Sequence, residues 1–265
     1  MPNNLSDFSK KLHSEDGAFL LTNFQDFIIF LESLSFEYKI ESNKVFFPLQ
    51  KRTFDFVGNI TLASDSNFSN VIRSHFWVSH RPFLMARIRT ILGLNTKIHA
   101  RKTKIIRIES KVAIDFLNQS HILGARKSKF KFGAFYKDEL VAVMTFAGKR
   151  SQNDVSSVEM IQFANKIGLT IVGGLDKMIK VAFENLLVDQ IITYLDKEWG
   201  SAENWLKLGF ELVGETNPIE FMVNQKSQER FLALKDESFD NFDFYKNAGN
   251  YKIRILKNQK VGHSQ

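Results

Sequence analysis

The sequence predicts a mixed α/β (α+β) chain: a mixed sheet with flanking helices, preceded by a small α/β domain. Three observations carry this. KFKFGAFY (129–136) and LVAVMTFAG (140–148) flank a Lys137-Asp138-Glu139 turn, which is a hairpin pattern. Gly173-Gly174 separates an apolar run from DKMIKVAFENLL (176–187), whose apolar residues recur at helical spacing. QIITYLD (190–196) then returns to strand character, so strands and helices alternate.

The elements follow in order. FQDFIIFLESLS (24–35) suits an amphipathic helix, and FEYKI (36–40) with KVFFP (44–48) suits a hairpin turning at Glu41-Ser42-Asn43. FDFVGNITL (54–62) is a third strand, and Phe68 to Leu94 reads as helical with Pro82 near a first turn. Ile105 to Glu109 is a strand, and Ser110 is placed to cap a helix through Val112, Ala113, Phe116 and Leu117. After the hairpin, 149–157 reads as a polar loop and VEMIQFA (158–164) as a strand. Beyond QIITYLD, residues 201–208 are helical up to a Gly209 cap, and FELVGE and IEFMV are strands. The tail after Asn224 reads as a helix, an acidic stretch and a strand YKIRIL (251–256). The implied division is 1–100, 101–225 and a C-terminal extension, 226–265.

Composition bounds the chemistry. At 265 residues there is room for one large domain or two small ones, and 26 phenylalanines supply core material. The absence of cysteine excludes disulfides, Cys-ligated zinc and a cysteine nucleophile. The six histidines, His99 and His121 among them, show no ligand spacing, so no metal site is expected. Met1 to Glu15 is polar, and no apolar run reaches the roughly 18 residues of a membrane span, so a cytoplasmic protein is expected. Of the net charge of +7, the window Lys97 to Lys131 alone carries +8, with ten Lys/Arg against Glu109 and Asp115. Such a patch attracts nucleic acid or cofactor phosphates, unless it is only a solvated face. Its charges form two groups that could share one face: Arg101, Lys102 and Lys104, then Arg126, Lys127, Lys129 and Lys131.

SAENWLKLGFELVGE (201–215) and TIVGGLDKM (170–178) are similar to two motifs of the GNAT acyltransferases. The element order from 105 to 223 resembles that fold too. The resemblance implies an acyl-CoA cofactor, acetyl-CoA or another. Its pyrophosphate would lie at Thr170, Ile171, Val172, Gly173 and Gly174, with Lys177 adding charge. Over nearly the whole chain, blocks such as MARIRTILGLNTKIHARKTKI (85–105) and ITYLDKEWGSAENWLKLGF resemble phage and bacterial homing-endonuclease-like proteins. Those pair a nuclease-type domain with a GNAT-like one; the Mom-type DNA-modifying enzymes are another GNAT-like group acting on nucleic acid. The nuclease half reads as degenerate. KRTFDFVGN keeps one acid, Asp55, and the next segment offers only Asp65, so nuclease activity is not expected.

Within that frame Glu159 is either a general base or a surface carboxylate. Tyr194 is either a proton donor or a buried structural tyrosine, and Asp196 lies near it at the strand's C-terminal end, where α/β sites collect ligands. Trp199 either stacks on a base or packs as a lid. Gly173-Gly174 either cradles a phosphate or only makes a tight turn. The functional expectation is a GNAT-like group transferase, with nucleic acid as a candidate acceptor. The alternative is a non-catalytic nucleic-acid-binding protein that retains the fold.

Overall fold

The computed structural model describes residues 15–58, 70–199, 202–233 and 240–257. The chain forms two interleaved units rather than consecutive segments: Met1–Met85 with Asp196–Ser201 and Asn217–Asn250, and Ala86–Leu195 with Ala202–Thr216 and Tyr251–Gln265.

In the first unit, helix α1 (Glu15–Glu32) lies on a four-stranded sheet, ordered β1 (Lys39–Glu41), β2 (Lys44–Phe47), β3 (Arg52–Val57), β4 (Val71–Arg73). The expected hairpin turns at Ser42, whose φ of 57° is left-handed. Phe24 and Phe27 of α1 pack on Phe56, and Phe27 meets Trp77 edge-on at 5.2 Å. The Trp77 indole N–H, buried with that core, donates to Asp26 at 2.8 Å. The third strand ends at Val57, and 59–62 lie outside the described residues. The helical reading of Phe68 to Leu94 is corrected at its start. Val71–Arg73 pairs in parallel with β3, fully buried, before α2 (Ser74–Ser79) and α3 (Arg81–Ile91). Three buried residues are too few to show an alternation in sequence.

The tail is also corrected. Instead of a helix after Asn224, β14 (Glu220–Asn224) turns into β15 (Arg230–Leu232), and β16 (Phe242–Lys246) pairs on its other side. Asn224 Oδ1 accepts the backbone N–H groups of Lys226 and Ser227 at 3.0 and 2.8 Å, a side-chain-made turn that overrides the helical propensity of the segment.

The second unit is built on a mixed sheet. Its strands are β6 (Lys104–Arg107), β7 (Phe130–Tyr136), β8 (Glu139–Phe146), β9 (Arg150–Gln152), β10 (Val155–Asn165), β12 (Gln190–Asp196), β13 (Glu211–Glu215) and β17 (Asn250–Leu256). Their order is β13-β17-β12-β10-β8-β7-β6, with β9 against β10. Helix α4 (Ser110–Ser120) places Ala113 and Leu117 on Val143 and Ala164. Helix α5 (Gly174–Leu186) places Met178, Ile179, Ala182, Phe183 and Leu186 in the larger core with Phe132, Met144, Met160 and Ile191. The four larger of these contribute about 1.5–3 kcal/mol each by leaving water.

The expected order of helix, two antiparallel strands, strand, helix, strand, helix and strand is met, with α6 (Glu203–Leu206) as the last helix. Three local corrections apply. Glu109, not Ser110, occupies the cap of α4, and it makes no side-chain cap bond. The 149–157 loop is a hairpin, β9 to β10, turning through Asn153 and Asp154 at φ 49° and 61°. All of β9 is exposed, so no apolar alternation announced it. Finally, β5 (Thr96–His99) pairs in parallel with β11 (Leu169–Val172), outside the main sheet.

Candidate active site

Strands β10 and β12 run parallel, yet their register covers only Ser157–Glu159 against Gln190–Ile192. A bulge between Met160 and Gln162 bends β10 at that point. Beyond it the ladder is replaced by one side-chain bond, from the Thr193 hydroxyl to Met160 O at 3.0 Å. Val158, Met160 and Ile191 belong to the core under α5, so strand alternation turns Glu159, Ile192 and Tyr194 to the opposite face. Glu159 sits across the ladder from Ile192, and Tyr194 is two residues further along β12. Strand geometry sets the two α-carbons about 8 Å apart, or more where the strands diverge.

Glu159 is half-buried. Tyr194 is 42% exposed, which corrects the reading of a buried structural tyrosine. Neither side chain has a hydrogen bond or ion pair to another described residue. A carboxylate and a phenol thus flank the place where two parallel strands stop pairing.

The glycine turn lies between β11 and α5. Gly173 caps α5 with φ 73°, a left-handed conformation that favours glycine, and no side chain caps the helix. A β-carbon on Gly173 would meet only Ala100 Cβ, at 3.7 Å. A β-carbon on Gly174 would lie 2.8 Å from Ile171 Cβ, so this glycine is required by packing against its own strand. Thr170 is half-buried, Ile171 is buried and Val172 is exposed. Leu175 is half-buried and packs against the core. Lys177 does not project from the turn: its ammonium donates to the Ala100 and Thr103 carbonyl oxygens. Asp176 pairs with Lys180 at 3.1 Å.

The two basic groups have different neighbours. Arg101 and Lys102 follow Ala100, whose Cβ lies 3.7 Å from where a β-carbon on Gly173 would stand, so their backbone passes beside the glycine turn. Lys104 faces Phe135 on β7, and Lys131 lies four residues from Phe135, about 13 Å along the strand. Arg126 is held by its backbone N–H to Gln162 Oε1 at 2.8 Å, and Gln162 Nε2 donates to Gly124 O at 2.7 Å. Lys129 lies 5.8 Å over the Phe130 ring, and Lys131 donates to Ser128 O at 2.7 Å. None of these cations forms an ion pair among the described residues. His99 is exposed. His121 is held neutral, its pKa lowered to about 4 by burial and then by Arg87 and Arg126.

Asp196 and Trp199 belong to the first unit. There Arg73 makes a two-pronged pair with Glu198, at 2.9 and 2.5 Å, and lies 4.1 Å over the Tyr245 ring. Burial, then Glu198, pushes Asp196 up to about 6, against the Glu198 N–H, Arg230 and Arg73. His75 is lowered to about 2, by burial first and then by Arg230 and Arg73. The Trp199 ring packs edge-on to Phe76 at 6.5 Å. Sequence reading missed this cluster, because its members come from three distant segments. Asp55 is buried and paired with Lys44 at 3.7 Å, while Asp65 lies outside the described residues. Among the described residues no group of three His, Asp or Glu could hold a metal. No described helix is long and apolar enough to cross a membrane. Trp205, in the second unit, packs edge-on to Phe210 at 5.2 Å.

No protein-family model and no curated protein matches the sequence. Among solved structures, a Bacillus subtilis acetyltransferase in complex with CoA is similar at 16% identity, covering 58% of this chain and 99% of that one, with a TM-score of 0.37. The ribosomal-protein-S18-alanine N-acetyltransferase of Escherichia coli is similar at 10% identity, covering 62% and 98%, with a TM-score of 0.36. A GNAT family acetyltransferase from Elizabethkingia anophelis with acetyl-CoA bound is similar at 11% identity, covering 58% and 98%, with a TM-score of 0.30.

Proposed function

We propose that the second unit is a GNAT-type acyltransferase that moves an acyl group from an acyl-CoA to an amine. The observation that supports this most is the end of the β10–β12 ladder after three residue pairs, with Glu159 and Tyr194 on one face beside it. An open seam between parallel strands offers unpaired peptide groups to an extended ligand. The glycine turn fits a pyrophosphate: the amides that open α5 have no capping side chain, Gly173 leaves the approach free, and Arg101 and Lys102 border it.

When bound, the thioester supplies an activated carbonyl. The Glu159 carboxylate takes the proton that the acceptor amine sheds as its N–C bond forms. The Tyr194 hydroxyl gives a proton to the sulfur as the C–S bond breaks. Removing either group costs the rate a factor that general acid–base catalysis sets at about 10²–10⁴.

Release of free CoA thiol from acetyl-CoA, followed with amine acceptors, tests this. Glu159→Gln and Tyr194→Phe are each expected to depress the rate by about 10²–10⁴ with the fold kept. Unchanged rates in both variants contradict the assignment.

A second reading, a non-catalytic nucleic-acid binder, is supported by the Lys177 ammonium being spent on backbone carbonyls and by Asp176 in the first turn of α5.

A further inference from the structure

The strand register regroups the positive charges. Ala147 N donates to Glu159 O, and Lys129 N donates to Phe146 O, so Glu159 and Lys129 lie two strands apart at the same level, roughly 10 Å. Lys129 stands just before β7, exposed, with its ammonium 5.8 Å over the Phe130 ring. Gln162, only 3% exposed, fastens the loop bearing Arg126 and Lys127 to β10 three residues beyond Glu159. On the other side, Arg150 of β9 is in register with Ser157, whose side chain alternates onto the same face as Glu159. Lys149 precedes it in the turn from β8. Five cations from two separate segments, Arg126, Lys127, Lys129, Lys149 and Arg150, are therefore carried by the strand ends and loops that neighbour Glu159. All five are exposed, and none is in an ion pair among the described residues. The nearest acid on the neighbouring loop, Asp189, is taken up by the Ser156 N–H and hydroxyl at 2.7 and 2.6 Å.

A site for an ordinary cationic amine does not present this excess of like charge on its neighbouring segments. It suits an acceptor that carries its amine on a polyanion. We propose that the acceptor is a nucleic acid, bound through its phosphates by these five side chains with a base amine presented to Glu159 and Tyr194. The exposed Tyr194 ring offers a stacking surface for the base. The proposal rests on reading Glu159 and Tyr194 as the transfer site. It also separates the two basic groups: Arg101 and Lys102 belong to the glycine turn, whereas Lys149 and Arg150, outside the most basic stretch of sequence, join the acceptor face.

The test uses the full chain without acyl-CoA, so that its outcome does not depend on cofactor binding. Fluorescence anisotropy of a labelled single-stranded oligonucleotide is followed over salt, with a duplex and anionic phosphatidylserine vesicles as further probes. The log–log slope is expected to be near −0.7 per phosphate contacted for the single strand. The fourfold Ala variant of Arg126, Lys127, Lys149 and Arg150 is expected to flatten the slope by about 2–3. Arg101→Ala with Lys102→Ala is expected to leave it unchanged. All these residues are exposed, and an unchanged Tm verifies the fold. Wild-type protein that ignores both oligonucleotides, prefers the vesicles, or loses binding only in the Arg101/Lys102 pair overturns the proposal. Label from acetyl-CoA appearing on the oligonucleotide, and absent in Glu159→Gln, tests the acceptor role. Acyl transfer to simple amines with no label on nucleic acid overturns this inference and leaves the transferase reading standing.

Discussion

Single residues separate what the fold requires from what a ligand requires. Gly173 and Gly174 are adjacent, yet the contacts give them different tasks. Gly174→Ala forces a β-carbon into Ile171 and is expected to destabilise the second unit by about 1–3 kcal/mol, measured by urea unfolding. Gly173→Asp makes only an ordinary contact, with Ala100 Cβ at 3.7 Å, and aspartate tolerates the left-handed region, so the chain is expected to fold with a loss near 1 kcal/mol or less. The new charge is expected to repel a pyrophosphate, and Gly173→Asn provides the uncharged control. Equal destabilisation by Gly174→Ala and Gly173→Asn is the result that contradicts this division. The sequence showed the glycine pair and its place before a helix. It could not show which glycine served packing, because Ile171 is brought against Gly174 only by the turn itself.

At the scale of elements, legibility followed apolar patterning. The β7–β8 hairpin and α5 were readable because each pairs a buried face with clear turn or cap residues. Strand β9, wholly exposed, and β4, wholly buried over three residues, show no period and were missed. The register of β10 carried the site: Glu159 and Tyr194 were singled out in sequence, but their common face depends on a parallel pairing that no local pattern specifies. Helix α5 ends at Leu187, left-handed at φ 51° and 71% exposed. Leu187→Gly removes a strained β-carbon at little cost in burial and is expected to raise stability by up to about 1 kcal/mol, readable as a higher Tm. A lower Tm contradicts the assignment of strain there.

At the scale of the whole molecule, the chain leaves its first unit and returns to it twice. Asp196 is the last residue of β12, whose other residues belong to the second unit, but its carboxyl belongs to the first-unit cluster around Arg73 and Glu198. Its raised pKa makes stability depend on pH in a defined sense. The protonated form is favoured by folding, so this contribution is present below about pH 4 and lost as pH rises through about 6. His75, with its lowered pKa, works oppositely as pH falls below about 6.5, so the informative quantity is the difference between variants. Asp196→Asn keeps an oxygen for the Glu198 N–H. It is expected to be more stable than wild type by roughly 2–3 kcal/mol above pH 6, with the difference fading toward pH 4. A constant difference across that range contradicts the assignment.

The central claim, that the seam beside Glu159 and Tyr194 together with the Gly173 turn receives an acyl-CoA, is tested most directly by calorimetric titration of acetyl-CoA into wild type and Gly173→Asp. The expected result is saturable one-to-one binding to the wild type, unchanged in Glu159→Gln and lost in Gly173→Asp. No binding heat in the wild type at millimolar acetyl-CoA, or equal binding to Gly173→Asp, contradicts it.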